Sequence, residues 1–85
     1  MKQFNYTVTD SEGIHARPAG NLVKQAGAYE CKVTIKCGEK EADAKRIFGI
    51  MGLGVKNGQE VTIMVDGTDE DKAYDELLTF FKENL

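Results

Sequence analysis

Apolar and polar residues alternate in three places along the chain: at Phe4, Tyr6 and Val8; at Cys31, Val33, Ile35 and Cys37; and at Val61, Ile63 and Val65. A period of two belongs to a strand with one buried face. Gly38-Glu39 follows the second run and reads as a hairpin turn into a third strand, Lys40 to Asp43, so the Val61 run is the fourth. Elsewhere the period lengthens. Ala16 to Gly27 reads as a helix whose apolar face is Ala19, Leu22, Val23 and Ala26, at i, i+3, i+4 and i+7. Thr68 is placed to cap a last helix with Asp71 three residues on, Asp69 and Glu70 suit its positive end, and Ala73, Leu77, Phe80 and Phe81 give its buried face.

Between these lies a short apolar stretch, Ile47 to Leu53, ended by Gly54. At helical spacing Ile47 and Ile50, with Leu53, fall on one side and Phe48 and Met51 on another. One short helix cannot bury both sides, so Phe48 and Met51 are candidates for an exposed binding patch, with core packing as the alternative. The predicted order is β-α-β-β-α-β-α. It makes an α+β open-faced sandwich: a four-stranded antiparallel sheet with three helices on one face and water on the other. If the fourth strand lies between the first and second, the first helix makes a right-handed split β-α-β crossover and the strand order is 1-4-2-3.

The 85 residues suffice for one domain with a modest core, a size that suits a carrier or binding module better than an enzyme with its own substrate cleft. No linker or low-complexity run divides residues 1–85. There is no apolar run of about 18 residues to span a bilayer, and Met1 to Tyr6 lacks the apolar core of a signal peptide, which predicts a cytoplasmic protein without membrane insertion. Cys31 and Cys37 would lie roughly 20 Å apart along one strand, too far for a disulfide, and read as core thiols. With one histidine and no Cys-x-x-Cys, a metal site has no support, and nothing implies a cofactor.

Net charge is -3, unevenly spread. Residues 44 to 58 carry Lys45, Arg46 and Lys56 and no acid, whereas residues 66 to 85 carry seven acids against Lys72 and Lys82. A mildly basic face beside His15 would favour an acidic or phosphorylated protein partner, and the acidic balance argues against nucleic acid. The alternative is that both are solvated faces of no consequence.

The candidate chemistry is in Gly13-Ile14-His15-Ala16-Arg17-Pro18-Ala19. Pro18 fits only the first turn of a helix, where its missing N–H has no intrahelical partner, and this puts His15 at or beside the N-cap. A helix N-terminus attracts anions through its free N–H groups, those of Ala16 and Arg17 here, and its dipole, and Arg17 can add a guanidinium. A neutral imidazole nitrogen is a good nucleophile. Together these groups could make and hold a phosphohistidine. The plainer reading is a solvated histidine with an arginine packed over the helix.

The segment GIHARPAG resembles the active-site signature of the HPr family, the histidine phosphocarriers of the bacterial phosphoenolpyruvate:sugar phosphotransferase system. The resemblance runs through the whole chain, with KRIFGIMGLGV (Lys45 to Val55) similar to the family's second motif and DGTDEDKAYDELLTFF (Asp66 to Phe81) to its C-terminal pattern. It implies that His15 is phosphorylated by enzyme I and passes the phosphoryl group to a sugar-specific enzyme IIA. Arg17 is then the phosphate partner. Gly20, Lys24, Ile47, Phe48 and Met51 become the partner-binding face of a monomer, and the family architecture becomes the expected fold.

Some positions depart from the family pattern. Arg46 stands where Gram-positive members have the serine used by a regulatory kinase. Glu12 replaces a small polar residue near the phosphate, where its charge would oppose a phosphohistidine. Gly20 and Gly52 stand where the docking face usually has side chains. A rival reading is a regulatory module of this fold that only docks on a transcription factor or enzyme; His15 argues for carriage, since docking alone would not need it. A ferredoxin-like nucleic-acid module lacks the exposed strand aromatics that base stacking would use.

Overall fold

The alternating stretches form strands because each can bury every second side chain against the same layer. The structure, a computed structural model, describes all 85 residues. They run as β1 (Lys2–Thr7), α1 (Ala16–Gly27), β2 (Lys32–Cys37), β3 (Lys40–Asp43), α2 (Ile47–Gly52), β4 (Glu60–Asp66) and α3 (Glu70–Asn84). The sheet is antiparallel throughout, in the order β1-β4-β2-β3. β4 is therefore central, with Ile63 opposite Phe4 on one side and Ile35 on the other.

One face of this sheet is the core. Val33, Ile35, Val61, Ile63 and Val65 are buried on it beneath Leu22 of α1, Ile50 of α2, and Leu77 and Phe81 of α3. Phe81 meets Phe4 and Tyr6 edge to face, at 5.9 and 5.5 Å between ring centres. The opposite face is polar, as at Asn5 and Thr62, whose side chains hydrogen-bond across the strands at 2.8 Å. No helix is long and apolar enough to cross a membrane. The expected α+β open-faced sandwich and its 1-4-2-3 order are what the chain adopts.

The start of α3 differs from the expected capping box. The N-cap is Asp69 rather than Thr68, and its side chain caps nothing in its own helix. The Asp69 carboxylate instead accepts the backbone N–H groups of Glu30 and Cys31, at 2.8 and 2.9 Å, and so ties α3 to the loop between α1 and β2. Glu70 reaches back to accept the N–H of Gly67 at 3.1 Å. Gly67 is fixed by close approach: its φ is +155°, and a Cβ there would lie 2.7 Å from the Cα of Cys31.

Both cysteines are free, Cys31 buried and Cys37 half-buried. Burial, helped by a hydrogen bond to Asp69, pushes the Cys31 thiol up to about 11. A thiol reagent at neutral pH should therefore modify Cys37 alone in the folded protein and both cysteines in denaturant, as mass spectrometry would count. The N–H of Glu30, then that of Cys31, hold the Asp69 carboxyl below its ordinary value of 3.8. A depressed carboxyl stabilises the fold above its unfolded-state value and stops doing so as pH falls through the folded one. Asp69→Asn should flatten the loss of stability below about pH 4 in denaturant titrations; an unchanged acid limb would remove Asp69 from that role.

Candidate functional site

His15 is the N-cap of α1, in extended conformation, and its side chain makes no cap hydrogen bond. Its carbonyl already serves the helix by accepting the N–H of Ala19 at 3.0 Å. Pro18 is buried within the first turn, as its missing N–H requires. The imidazole is left half-exposed at the mouth of an open recess of about 310 Å³ lined by Asp10, His15, Arg17, Pro18, Asn21, Glu83 and Asn84.

The loop before His15 is held from three directions. Thr9 and Asp10 both donate their N–H groups to the carbonyl of Leu85, and the Thr9 hydroxyl donates to the same oxygen at 2.9 Å. The Asn57 side-chain amide donates to the carbonyls of Thr9 and Asp10, at 3.0 and 3.2 Å. Ile14 donates to the carbonyl of Val55 at 3.1 Å. Gly13 makes that last contact possible. Its φ is +70°, and a Cβ at this position would run into the Val55 carbonyl and lie 2.7 Å from the Cα of Lys56.

Of the residues singled out in the sequence, His15 and Arg17 share the recess. Arg17 is exposed and engaged in none of the chain's ion pairs. Ala16 is exposed beside them, and Lys24 lies exposed two turns further along α1. α2 packs against α1 with Ile50 fully buried and Ile47 half-buried, while Phe48 is 88% and Met51 42% exposed. The two sides of the short helix sort as their spacing predicts. Gly20 sits at the seam of the two helices, since a Cβ added there would lie 3.9 Å from Ile47 Cδ1. Gly52 has open space around it.

The charge around His15 departs from the expected basic face. None of Lys45, Arg46 and Lys56 lines the recess. Lys45 turns inward to donate to the Tyr29 carbonyl at 2.8 Å, and Arg46 faces Asp43 at 3.9 Å. Two carboxylates flank the ring instead, Asp10 Oδ1 at 3.6 Å from Nε2 and Glu12 Oε2 at 3.5 Å from Nδ1. Asn21 could have been found from helical spacing, four residues beyond Arg17. Glu83 and Asn84 have no local signal, because they reach the recess only through the packing of the far end of α3.

The fold and the site define a class: a small open-faced sandwich that presents one half-exposed histidine at a helix N-terminus beside an exposed arginine. The family model described as "PTS HPr component phosphorylation site" matches residues 2–83. The phosphocarrier protein HPr of Lysinibacillus sphaericus is 43% identical over 83 residues, which cover 98% of this chain and 94% of that protein. The solved structure of a mycoplasma histidine-containing phosphocarrier protein superposes with a TM-score of 0.91 at 37% identity, covering 93% of this chain and 90% of that one. Bacillus subtilis Crh, a catabolite repression protein described as a dimer with a swapped domain, is 34% identical with a TM-score of 0.78, covering 100% and 98% of the two chains. The chain belongs to the HPr family of phosphocarrier proteins of the phosphotransferase system.

Two substitutions separate packing from surface in this region. Phe48→Ala should change unfolding free energy by less than about 0.5 kcal/mol, as for an exposed side chain, where a core phenylalanine would cost about 3–5 kcal/mol. Gly20→Ala should raise stability by up to about 1 kcal/mol, because the methyl meets Ile47 at ordinary contact distance. Denaturant unfolding of both variants measures this.

Proposed function

We propose that residues 1–85 act as one domain that carries a phosphoryl group on His15, accepting it from phosphorylated enzyme I and yielding it to a sugar-specific enzyme IIA. The observation that carries this reading is the imidazole itself: half-exposed, at the N-cap of α1, and sharing an open recess with an unpaired guanidinium. The backbone N–H groups of Ala16 and Arg17 and the Arg17 side chain are the donors available to the arriving phosphoryl oxygens. An open recess with few donors suits a relay, since a deep charged pocket would bind the group too firmly to release it. Positioning by the two partners supplies most of the catalysis, and the transfer requires no cofactor or metal.

Docking falls to Phe48 and Met51, with Ile47, Gly20 and Lys24 beside them on the α1 and α2 surfaces. An exposed phenylalanine flanked by a methionine is an adaptable apolar anchor, suited to more than one partner. The working unit is a monomer in the cytoplasm. A second reading, regulation by docking alone, draws support from the likeness to Crh, a catabolite repression protein. Arg46 has no hydroxyl, so a serine switch at that position has no acceptor in this chain.

Incubation with phosphoenolpyruvate and a bacterial enzyme I should place one acid-labile, base-stable phosphoryl group on His15. Failure of the wild-type protein to take it up would sink the carrier reading. His15→Ala should abolish uptake without unfolding the protein. Arg17→Ala should slow transfer about 10- to 100-fold, the worth of one charge-assisted hydrogen bond. Phe48→Ala should weaken enzyme I binding by about 1–2 kcal/mol, read by calorimetry, while the variant still folds.

A further inference from the structure

Of the asparagines in the chain, Asn57 alone is followed by glycine. An Asn-Gly pair is chemically reactive as well as turn-forming, because the backbone nitrogen of the glycine can attack the side-chain amide carbon with no Cβ in the way. Here both partners in that reaction are tied to the loop that leads to His15. The Gly58 N–H donates to the Val8 carbonyl at 2.8 Å. The Asn57 amide nitrogen, which would be the leaving group, donates to the carbonyls of Thr9 and Asp10 at 3.0 and 3.2 Å. Both residues are exposed, and Gly58, with a φ of +86°, has open space where a Cβ would stand, so nothing crowds the attack once these bonds open.

We propose that Asn57 is a deamidation site which the closed loop protects, and that its conversion to an acid releases the His15 loop and slows phosphoryl transfer; this last consequence rests on the carrier reading above. In the reaction the Gly58 nitrogen bonds to Cγ of Asn57 while the Cγ–Nδ2 bond breaks. Nδ2 leaves as ammonia with the proton given up by Gly58. Water then opens the succinimide so formed. Cleavage between Cγ and the Gly58 nitrogen gives aspartate, whereas cleavage between the residue 57 carbonyl carbon and that nitrogen gives isoaspartate, with the main chain rerouted through the side chain.

An amide nitrogen donates hydrogen bonds and a carboxylate only accepts them. An acid at position 57 therefore meets the Thr9 and Asp10 carbonyls oxygen to oxygen, and attraction becomes repulsion. Asp10 lines the recess with His15 and Arg17, so a loop released there loosens one wall of the site. Isoaspartate also displaces Gly58 and Gln59, which bond Val8 at 2.8 and 2.9 Å. Nucleophile and leaving group are freed by the same opening, so the rate of conversion follows the open fraction of the loop.

The site is tested by incubating the full chain in mildly alkaline buffer, folded or in urea, and following acid formation by peptide mapping and mass spectrometry. Conversion at Asn57 should be more than about tenfold slower in the folded protein, because only the opened fraction reacts. Asn5, Asn21 and Asn84 should remain amides over the same time. Equal rates in the two states would remove the protection. Asn57→Asp, the product mimic, should lower kcat for phosphoryl uptake from enzyme I about three- to tenfold, the worth of a lost hydrogen bond, with KM little changed. Asn57→Gln, which keeps the donors, should retain most of the rate; a loss equal to that of Asn57→Asp would assign the effect to shape and overturn the role of the amide. Uptake at the wild-type rate in Asn57→Asp would overturn it as well. Should Asn57→Asp fail to fold, aged wild-type protein separated by ion exchange supplies the same comparison. A fresh wild-type protein that accepts no phosphoryl group would instead sink the carrier reading, and the two rates of acid formation would still judge Asn57.

Discussion

The burial of a single sheet face is the constraint on which this molecule rests. Val33, Ile35, Val61, Ile63 and Val65 must all be covered from one side, because the alternate residues of the same strands face water. Three helices on that side can only meet the sheet with their apolar stripes inward. Their ends, and the loops that join them to the strands, then collect at the rim. His15 sits at one such point, where the N-terminus of α1, the loop after β1 and the last turn of α3 come together.

Rigidity at the rim comes from backbone carbonyls that gather donors from the main chain, the Thr9 hydroxyl and the Asn57 amide. The Leu85 carbonyl gathers donors from Thr9 and Asp10, and the Val55 carbonyl takes the N–H of Ile14. Gly13 lets the second of these contacts form by presenting no Cβ. A loop fixed in this way can hold an imidazole half in solvent at the mouth of an open recess. That combination suits the proposed relay, in which one protein and then another must reach the group.

Much of this was legible in the sequence, for identifiable reasons. One-sided burial writes itself as alternation in the strands, and Pro18 placed the start of α1 through its missing N–H. Spacing put Ile50 and Phe48 on different sides of α2 and left open which side was buried, which the packing of α2 on α1 decides. The acids were less legible. Thr68 resembled a cap because threonine followed by an acid three residues on is a common helix start, but Asp69 is drawn into holding Glu30 and Cys31 across the chain. The basic stretch around Lys45 was read as a face beside His15, yet Lys45 is occupied by the Tyr29 carbonyl. Glu83 and Asn84 depend on where a helix of 15 residues happens to end, which no local pattern records.

The short helix α2 is secured entirely from beneath. Ile50 and the neighbouring Ala44 are fully buried, Ala44 donates to Val33 at 3.0 Å, and Gly49 leaves just enough room for Ala42, whose Cβ would lie 3.3 Å from an added methyl. Phe48 and Met51 stand on the outer side and contribute little to that attachment. The side chains proposed to select a partner are therefore separable from those that fold the protein. Such a surface can drift, acquiring or losing partners one residue at a time, while the sheet beneath continues to fold as before.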